Sequence, residues 1–204
     1  MKHMNEVPLN EVPSFPDRAI DQISEDAIEI GRVVAIYVYP VQREPSRSLK
    51  EVRAVAGQGL SGDHKRNPHR AVTLLSLQDW HKVTAELRSD LPPETRRANL
   101  LVHTIDSSTE LAKIVGMRLH IGEAKLLVRG ETTPCKRMNE ACTGLEHALS
   151  SGMRGGVFGP VVNSGLIRVD DVVTASVSTS EFQLQQGMHL SKATKSFSSG
   201  TDAL

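Results

Sequence analysis

Cys135 is the residue of this sequence with the clearest chemical potential. It lies in Thr-Thr-Pro-Cys-Lys-Arg-Met, where Pro134 suits the first position of a helix. The sequence therefore predicts Cys135 in a first helical turn, where unpaired backbone N–H groups and the helix dipole favour an anion. With Lys136 and Arg137 beside it, more of the thiol would be thiolate, the form that attacks sulfur, carries a persulfide or binds a soft metal. The residues alone leave open that Cys135 is an ordinary small apolar side chain.

Cys142 follows seven residues later. On one continuous helix the two cysteines would be ~10 Å apart, because the rise is about 1.5 Å per residue. That separation is too long for a disulfide. Cys142 is therefore either a buried helix residue or, if Gly144 folds the segment back, a resolving thiol.

Arg154-Gly155-Gly156 is a second feature that could serve a ligand. Glycines let a ligand or another strand approach the backbone, and arginine binds phosphate or carboxylate through two hydrogen bonds. Tight packing where a helix leads into a strand explains the same residues about as well.

A dense polar loop is a third feature. Aspartate and histidine can bind a metal, but no pair here has the spacing of a zinc site. A solvated loop is the simpler interpretation. A third interpretation makes the loop one wall of an anion pocket, with Arg96, Arg97 and Asn99 on another wall. The loop residues concerned are Asp63, His64, Lys65, Arg66, His69 and Arg70.

Composition and charge narrow the classes of function. The 204 residues carry 24 Lys plus Arg and 24 Asp plus Glu, so we expect no overall attraction to nucleic acid or to an anionic membrane. Two cysteines do not make a disulfide scaffold. The N-terminus shows no apolar signal-peptide core, and no run approaches the ~20 apolar residues of a membrane helix. These features predict a reducing, cytoplasmic setting.

Familiar catalytic motifs are also missing from the sequence. It contains no P-loop, GxGxxG, CxxC, HExxH or GxSxG pattern. Nucleotide hydrolysis and Rossmann-type hydride transfer therefore have no support.

Short β segments separated by glycine turns must position these residues. A helix is predicted over 76–87, with Ser76 as its cap, and the region after Pro134 is predicted to be helical in two pieces. Thr143 and Glu146 form a capping box for the second piece. The pattern predicts a mostly β fold with short helices (α+β), as a barrel or a sandwich. The predicted strands are residues 32–39, 51–56, 71–75, 99–103, 118–121, 124–129, 157–162, 166–169 and 172–177.

Three segments are predicted from these patterns. Residues 1–30 form an N-terminal extension, in which residues 17–30 could make a short helix, and residues 31–177 form one domain. Residues 178–204 are rich in serine and threonine without periodicity, which predicts a flexible C-terminal tail.

Seven segments in this order resemble the MOSC domain, named for the C-terminal part of molybdenum cofactor sulfurases. Each is weak alone, but the ordered set over about residues 31–175 is specific. The segments are 59–64 (GLSGDH), 70–77 (RAVTLLSL), 97–102 (RANLLV), 119–124 (LHIGEA), 134–138 (PCKRM), 154–159 (RGGVFG) and 167–172 (IRVDDV).

This resemblance implies a MOSC-type, β-barrel-like domain and a particular chemistry. Cys135 matches the cysteine that is proposed, in relatives, to carry sulfur as a persulfide or to ligate molybdenum when the molybdopterin cofactor is bound. Cys135 is therefore both the expected catalytic residue and the expected metal ligand. The residues expected to bind the cofactor are Asp63, His64, Asn99, Lys136, Arg137, Arg154, Gly155 and Gly156.

The resemblance also implies a set of functions to test. A molybdenum-cofactor enzyme of this kind would reduce N-hydroxylated compounds with an electron-donor protein, and a sulfur carrier would be loaded by a cysteine desulfurase. Pyridoxal phosphate is not expected, because the sequence lacks the large desulfurase domain of full sulfurases and resembles a standalone module. The alternative is a non-catalytic module that binds a cofactor or a partner without turnover.

Overall fold

The computed structural model describes residues 27–64, 67–105 and 111–176, with the backbone alone for Ala112. Almost all of the predicted extension and tail lies outside these residues, so the domain boundaries stay predictions. The helix predicted over residues 17–30 is wrong at its end, because residues 28–30 belong to the first strand. Within that part of the chain, no helix is both long and apolar enough to cross a membrane.

Strands dominate the described chain, as predicted. Alternation of apolar and polar residues, with many β-branched side chains, accounts for most of them. The strands are β1 (Ile28–Val38), β2 (Arg47–Leu49), β3 (Glu51–Val55), β4 (Gly59–Leu60), β5 (Val72–Ser76), β6 (Leu100–Thr104), β7 (Arg118–Ile121), β8 (Ala124–Leu127), β9 (Gly130–Glu131), β10 (Val157–Gly159), β11 (Val161–Asn163), β12 (Gly165–Arg168) and β13 (Val172–Ser176).

The strands form two sheets. The larger runs β11-β8-β7-β13-β1-β6-β5-β10-β9, with β2 also paired to β1, and the smaller runs β12-β3-β4. Strands β5 and β6 are parallel, whereas the other described pairs are antiparallel. The larger sheet ends at β11 and β9 in the described chain, so the barrel-like domain is not a closed barrel.

The helices are few and short. Helix α1 (Leu77–Glu86) begins as predicted, because the Ser76 hydroxyl accepts a hydrogen bond of 3.2 Å from the amide of Asp79. Helices α2 (Met138–Ala141) and α3 (Leu145–Ser150) follow residues 132–137, the cysteine segment, which carries Cys135. Single 3₁₀ turns occupy Pro68–Arg70, Pro93–Arg96, Leu111–Ile114 and Ser151–Met153.

The predicted capping box of the last helix is wrong. Gly144, at φ 88°, occupies the N-cap of α3, and no side chain caps from that position. The amide of Glu146 instead donates 3.1 Å to the side-chain oxygen of Asn139 in α2. A residue of α2 therefore completes the start of α3 and links the two helices.

Two apolar clusters hold these elements together. The first lies among the strands of both sheets and is aliphatic. The second packs helices α1 and α3 against the larger sheet around Trp80, which is fully buried. Met138 belongs to this second cluster and fixes α2 to it, so the segment that carries Cys135 is anchored on its C-terminal side.

Candidate functional site

Cys135 is exposed and lies on the connection between β9 and α2. Its predicted place in a first helical turn is wrong, because α2 begins only at Met138. The Cys135 carbonyl accepts 2.8 Å from the Met138 amide, so the cysteine opens a tight turn ahead of the helix. Upstream of the cysteine, the Thr132 amide bonds the Gly156 carbonyl, and a four-residue helix contributes little dipole.

The thiol lines an open cavity of about 550 Å³. This volume lies within the usual range for sites that bind small molecules and cofactors. Positive charge dominates the wall, since Glu140 is the one carboxylate among the lining residues that the structure describes. The basic residues of this wall are Arg43, Arg70, Arg96, Arg97, Arg137 and His64.

Arg96 is the basic residue held most firmly at this site. Its side chain is buried, with 8% of the residue exposed. The guanidinium donates from Nε to the Gly155 carbonyl at 3.0 Å and from Nη2 to the Thr132 carbonyl at 2.6 Å. Both partners are backbone atoms of neighbouring segments, so the guanidinium is fixed in orientation. Its remaining nitrogen, Nη1, has no hydrogen-bond partner among the described residues.

The environment of Arg96 couples it to the cysteine. Burial lowers the pKa of Arg96 to about 10, and the positive charge of Arg70 adds to this shift. Negative charge at Cys135 acts in the opposite direction and supports the guanidinium. Arg96 thus stays charged near neutral pH.

Thr132 lines the same cavity next to Arg96. Its backbone is fully used, because the amide donates 2.7 Å to the Gly156 carbonyl while its own carbonyl accepts from Arg96. Only 7% of the residue is exposed. Its buried hydroxyl has no hydrogen-bond partner among the residues that the structure describes. Such an atom calls for a partner, for example a bound ligand or water.

Two glycines explain how these segments come so close. A Cβ at Gly155 would lie 2.3 Å from the Thr132 carbonyl oxygen and 3.4 Å from Nη2 of Arg96. At Gly156, which has φ of 88°, a Cβ would lie 2.2 Å from the Leu74 carbonyl. The pair therefore permits tight backbone packing behind the cavity, and neither glycine is among the lining residues.

Aromatic rings orient two further arginines of the wall. The guanidinium of Arg97 lies 4.2 Å from the centre of the Tyr39 ring and donates 2.9 Å to the Glu44 carbonyl. The guanidinium of Arg70 lies 4.6 Å from the Phe158 ring centre. Cation–π contacts of this kind hold each charge in place without neutralising it.

Asp63, His64 and Asn99 form a connected support at the loop side. The Asp63 carboxylate accepts 2.7 Å from the Tyr39 amide and 3.0 Å from the Asn99 side-chain nitrogen. Asn99 is fully buried, and its side-chain oxygen accepts from the amide and hydroxyl of Thr73 at 3.1 and 3.0 Å. Of the three predicted residues, only His64 lines the cavity.

The His64 ring has a defined tautomer in this support. Its Nδ1 lies 2.9 Å from the Tyr39 carbonyl, which can only accept, so Nδ1 carries a proton. In the neutral ring the lone pair is therefore on Nε2. This assignment follows from the partner and makes His64 able to accept a hydrogen bond from a bound molecule.

Arg154 and Lys136 are not brought into this cavity. The Arg154 guanidinium binds the Glu86 carboxylate with two hydrogen bonds of 2.6 and 3.0 Å, and its Nε donates to Ser151. Arg154 thus ties α1 to the turn after α3. Lys136 is exposed, although the adjacent Arg137 lines the wall. Their predicted cofactor binding is untested.

Sequence reasoning did not single out Arg43 or Thr132, and proposed Arg96 only as part of a wall. No local sequence pattern marks these residues, because Arg96 bonds partners that lie 36 and 59 residues away in the sequence.

Cys142 is half-buried, packs against the second apolar cluster and donates weakly to the Thr143 carbonyl at 3.7 Å. Among the described residues, no group of three or more His, Cys, Asp and Glu could hold a metal ion.

A comparison with models of known protein families finds a match. The family model described as "MOSC domain" matches residues 61–174, which is more than half of the chain. No curated protein sequence matches significantly.

Solved structures share the fold at low identity. The YuaD protein from Bacillus subtilis superposes with a TM-score of 0.63 at 16% identity, covering 75% of this chain and 98% of its own. YiiM from Escherichia coli gives 0.55 at 17% identity, covering 72% and 71% respectively. YiiM from Geobacillus stearothermophilus gives 0.53 at 12% identity, covering 74% and 75%. Identities this low support the fold alone.

Proposed function

Because the chain belongs to the MOSC domain family, which is associated with the molybdenum cofactor, we propose that Cys135 serves the chemistry of that cofactor. Its thiolate would either ligate molybdenum in bound molybdopterin or carry sulfur as a persulfide. Both uses need the same thing, an accessible sulfur atom surrounded by groups that bind an anion.

One observation carries this proposal. The exposed Cys135 shares a cavity of about 550 Å³ with five arginines and His64, against one carboxylate, that of Glu140. The chain as a whole is neutral, so this charge is a local property of the cavity wall. Positive charge favours both a thiolate and an anionic ligand.

The residues present fit molybdopterin by their chemistry. A thiolate is a soft ligand suited to a metal that also binds sulfur, and guanidinium groups suit a phosphate. The buried hydroxyl of Thr132 lacks a partner among the described residues, which fits a wall that receives a polar ligand. The described residues contain no cluster of carboxylates and histidines that could hold a metal, and a site in which a single thiolate is the protein ligand does not need one.

The roles of the chain's own residues follow from their positions. Arg96, fixed by two carbonyls, would stabilise the ionised Cys135 and the nearest anionic group of the ligand. Arg70 and Arg97, which pack against the rings of Phe158 and Tyr39, would bind anionic groups of the ligand that lie farther from Cys135. His64, with its lone pair on Nε2, could accept a proton or a hydrogen bond from a bound molecule.

When bound, the cofactor would supply redox chemistry that no side chain provides. The substrate class to test first is N-hydroxylated compounds, with an electron-donor protein. In the sulfur-carrier role, a cysteine desulfurase would load Cys135, and the chain would pass the sulfur on.

Native mass spectrometry with molybdenum analysis tests the proposal. The chain would be produced in a host that makes molybdopterin, alongside Cys135→Ser and the matched control Cys142→Ser. We expect a molybdopterin adduct or an added sulfur atom on the parent and on Cys142→Ser, and neither on Cys135→Ser. Equal loading of all three proteins would remove Cys135 from the function and favour a non-catalytic binding module.

A further inference from the structure

We propose that Cys135 accepts sulfur directly from a small thiosulfonate-type anion, of which thiosulfate is the simplest, with the sulfonate end bound by Arg96 and the hydroxyl of Thr132. This inference rests on the proposed function, in which Cys135 carries sulfur. It adds the chemical class of the donor and two residues that recognise it.

The first support is the Thr132 hydroxyl. It is buried and has no hydrogen-bond partner among the described residues, although the backbone groups of Thr132 are both paired. Leaving a buried hydroxyl unpaired is unfavourable, and Thr132 lines the cavity that holds Cys135. Because the hydroxyl oxygen itself has almost no exposed surface, the Thr132 side chain would rotate to present it to the cavity, where an oxygen atom of a bound oxyanion would supply the missing acceptor.

The second support is the geometry of Arg96. Two backbone carbonyls hold the guanidinium through Nε and Nη2, which leaves Nη1 without a partner among the described residues. Because Nη2 bonds the carbonyl of Thr132 itself, the guanidinium and the unpaired hydroxyl belong to adjoining groups. A planar donor and a hydroxyl side by side match the several oxygen acceptors of a sulfonate.

The depth of these donors favours a small molecule. Arg96 and Thr132 are 8% and 7% exposed, whereas Cys135 is exposed. A persulfide on a partner protein would reach the exposed sulfur but would leave a thiolate on that partner, with no oxyanion for the buried donors. A thiosulfonate anion has its reactive sulfur at one end and its oxygens at the other, as this arrangement requires.

The step balances without another reagent. The Cys135 thiolate attacks the terminal sulfur of thiosulfate and forms a new S–S bond. The S–S bond of thiosulfate breaks, and sulfite leaves with the electron pair. A Cys135 persulfide anion and a sulfite dianion replace a thiolate and a thiosulfate dianion, so atoms and charge are conserved. Arg96 and Thr132 would stabilise the charge that gathers on the departing sulfite.

Sulfite release from purified protein tests this inference. The chain would be produced without molybdopterin, reduced, and mixed with thiosulfate, and both sulfite and the intact protein mass would be followed. We expect one equivalent of sulfite and one added sulfur atom per chain, and none with Cys135→Ser. Added cyanide would remove the sulfur as thiocyanate and allow repeated turnover.

Thr132→Val tests whether the Thr132 hydroxyl helps to bind thiosulfate, or whether thiosulfate simply reacts with an accessible Cys135. This change keeps the shape of the side chain, and we expect sulfite release to slow by roughly 10-fold or more, as for a lost hydrogen bond to a charged group. Thr174→Val is the matched control, because Thr174 also has a buried hydroxyl without a described partner but does not line the cavity. Sulfate should inhibit the parent and Thr174→Val more strongly than Thr132→Val.

Two results would overturn the inference. One is a parent protein that a cysteine desulfurase loads with sulfur but thiosulfate does not. The other is a Thr132→Val protein as fast as Thr174→Val. Either result leaves the proposed function standing if Cys135 still carries molybdopterin or desulfurase-derived sulfur, whereas the proposed function fails only if Cys135→Ser loads like the parent.

Discussion

Arg96 donates a hydrogen bond of 2.6 Å from Nη2 to the carbonyl of Thr132, three residues before Cys135. The same guanidinium also bonds the Gly155 carbonyl at 3.0 Å. One buried cation therefore joins the cysteine segment to the turn that precedes β10. It fixes part of the wall of the cavity that Cys135 also lines, and it adds one positive charge to that wall.

Replacing Arg96 should damage stability and reactivity together. Arg96→Ala leaves two carbonyl oxygens without their donor, and we expect a loss of about 2–3 kcal/mol in the free energy of unfolding. Urea unfolding at neutral pH measures this change. The matched control is Arg168→Ala, whose exposed ion pairs with Glu51 and Glu123 should contribute little to the free energy of unfolding. Equal losses for the two variants would contradict the role given to Arg96.

Adding a methyl group at Gly155 should displace the cysteine segment. The new Cβ would lie 2.3 Å from the Thr132 carbonyl oxygen, so the backbone must move. We expect Gly155→Ala to lose about 1–3 kcal/mol of stability and to alter the reaction rate of Cys135. Gly130→Ala is the control, because its Cβ would only touch the Phe158 ring at 3.5 Å. Equal losses of stability for the two variants would contradict the close approach of Gly155 to the Thr132 carbonyl.

Asn99 should matter for stability through the loop that carries His64. Its side chain bonds four groups, namely the amide and hydroxyl of Thr73, the Tyr37 carbonyl and the Asp63 carboxylate. Asn99→Ala leaves several of these buried groups unpaired, and we expect a loss of about 2–4 kcal/mol in thermal or urea unfolding. A loss below about 0.5 kcal/mol would show that water replaces the amide at no cost.

Substitutions at the starts of α1 and α3 test whether the observed hydrogen bonds, or the capping box predicted from the sequence, stabilise these helices. Ser76→Ala should cost about 1 kcal/mol, because its hydroxyl accepts from Asp79 at the start of α1. At α3, Asn139→Ala should cost a similar amount, whereas Thr143→Ala should be nearly neutral. Circular dichroism during urea unfolding measures all three. A larger effect at Thr143 than at Asn139 would restore the capping box that the sequence predicted.

Local patterns were sufficient for most of the fold. Residues 32–38 of strand β1 are a β-branched and aromatic run before Pro40, and α1 follows a serine cap, so neighbouring residues were sufficient to predict both. The family resemblance then placed the cysteine, and the charged loop and Arg96 and Arg97 were expected to form walls of an anion pocket. His64, Arg70, Arg96 and Arg97 do line the same cavity.

The details that failed depend on distant partners. Pro134 does not start a helix, because the Thr132 amide pairs with Gly156, 24 residues away, and ties this part of the chain to the turn before β10. Arg154 pairs with Glu86, 68 residues away, and Arg96 lines the cavity, so the expected contact of Arg154 with a ligand stays a prediction. Which arginine points inward is decided by tertiary packing, and no local pattern records it.

The charge around Cys135 can be measured with two alkylating agents of similar size. In the Cys142→Ser protein, Cys135 is the only thiol, and its reaction rates with anionic iodoacetate and neutral iodoacetamide can be compared at low and high salt. We expect the ratio of the iodoacetate rate to the iodoacetamide rate to exceed that of the urea-unfolded protein several-fold at low salt, and to fall as salt screens the arginines. A ratio equal to that of the unfolded protein at every salt concentration would contradict a reachable sulfur in a positively charged cavity.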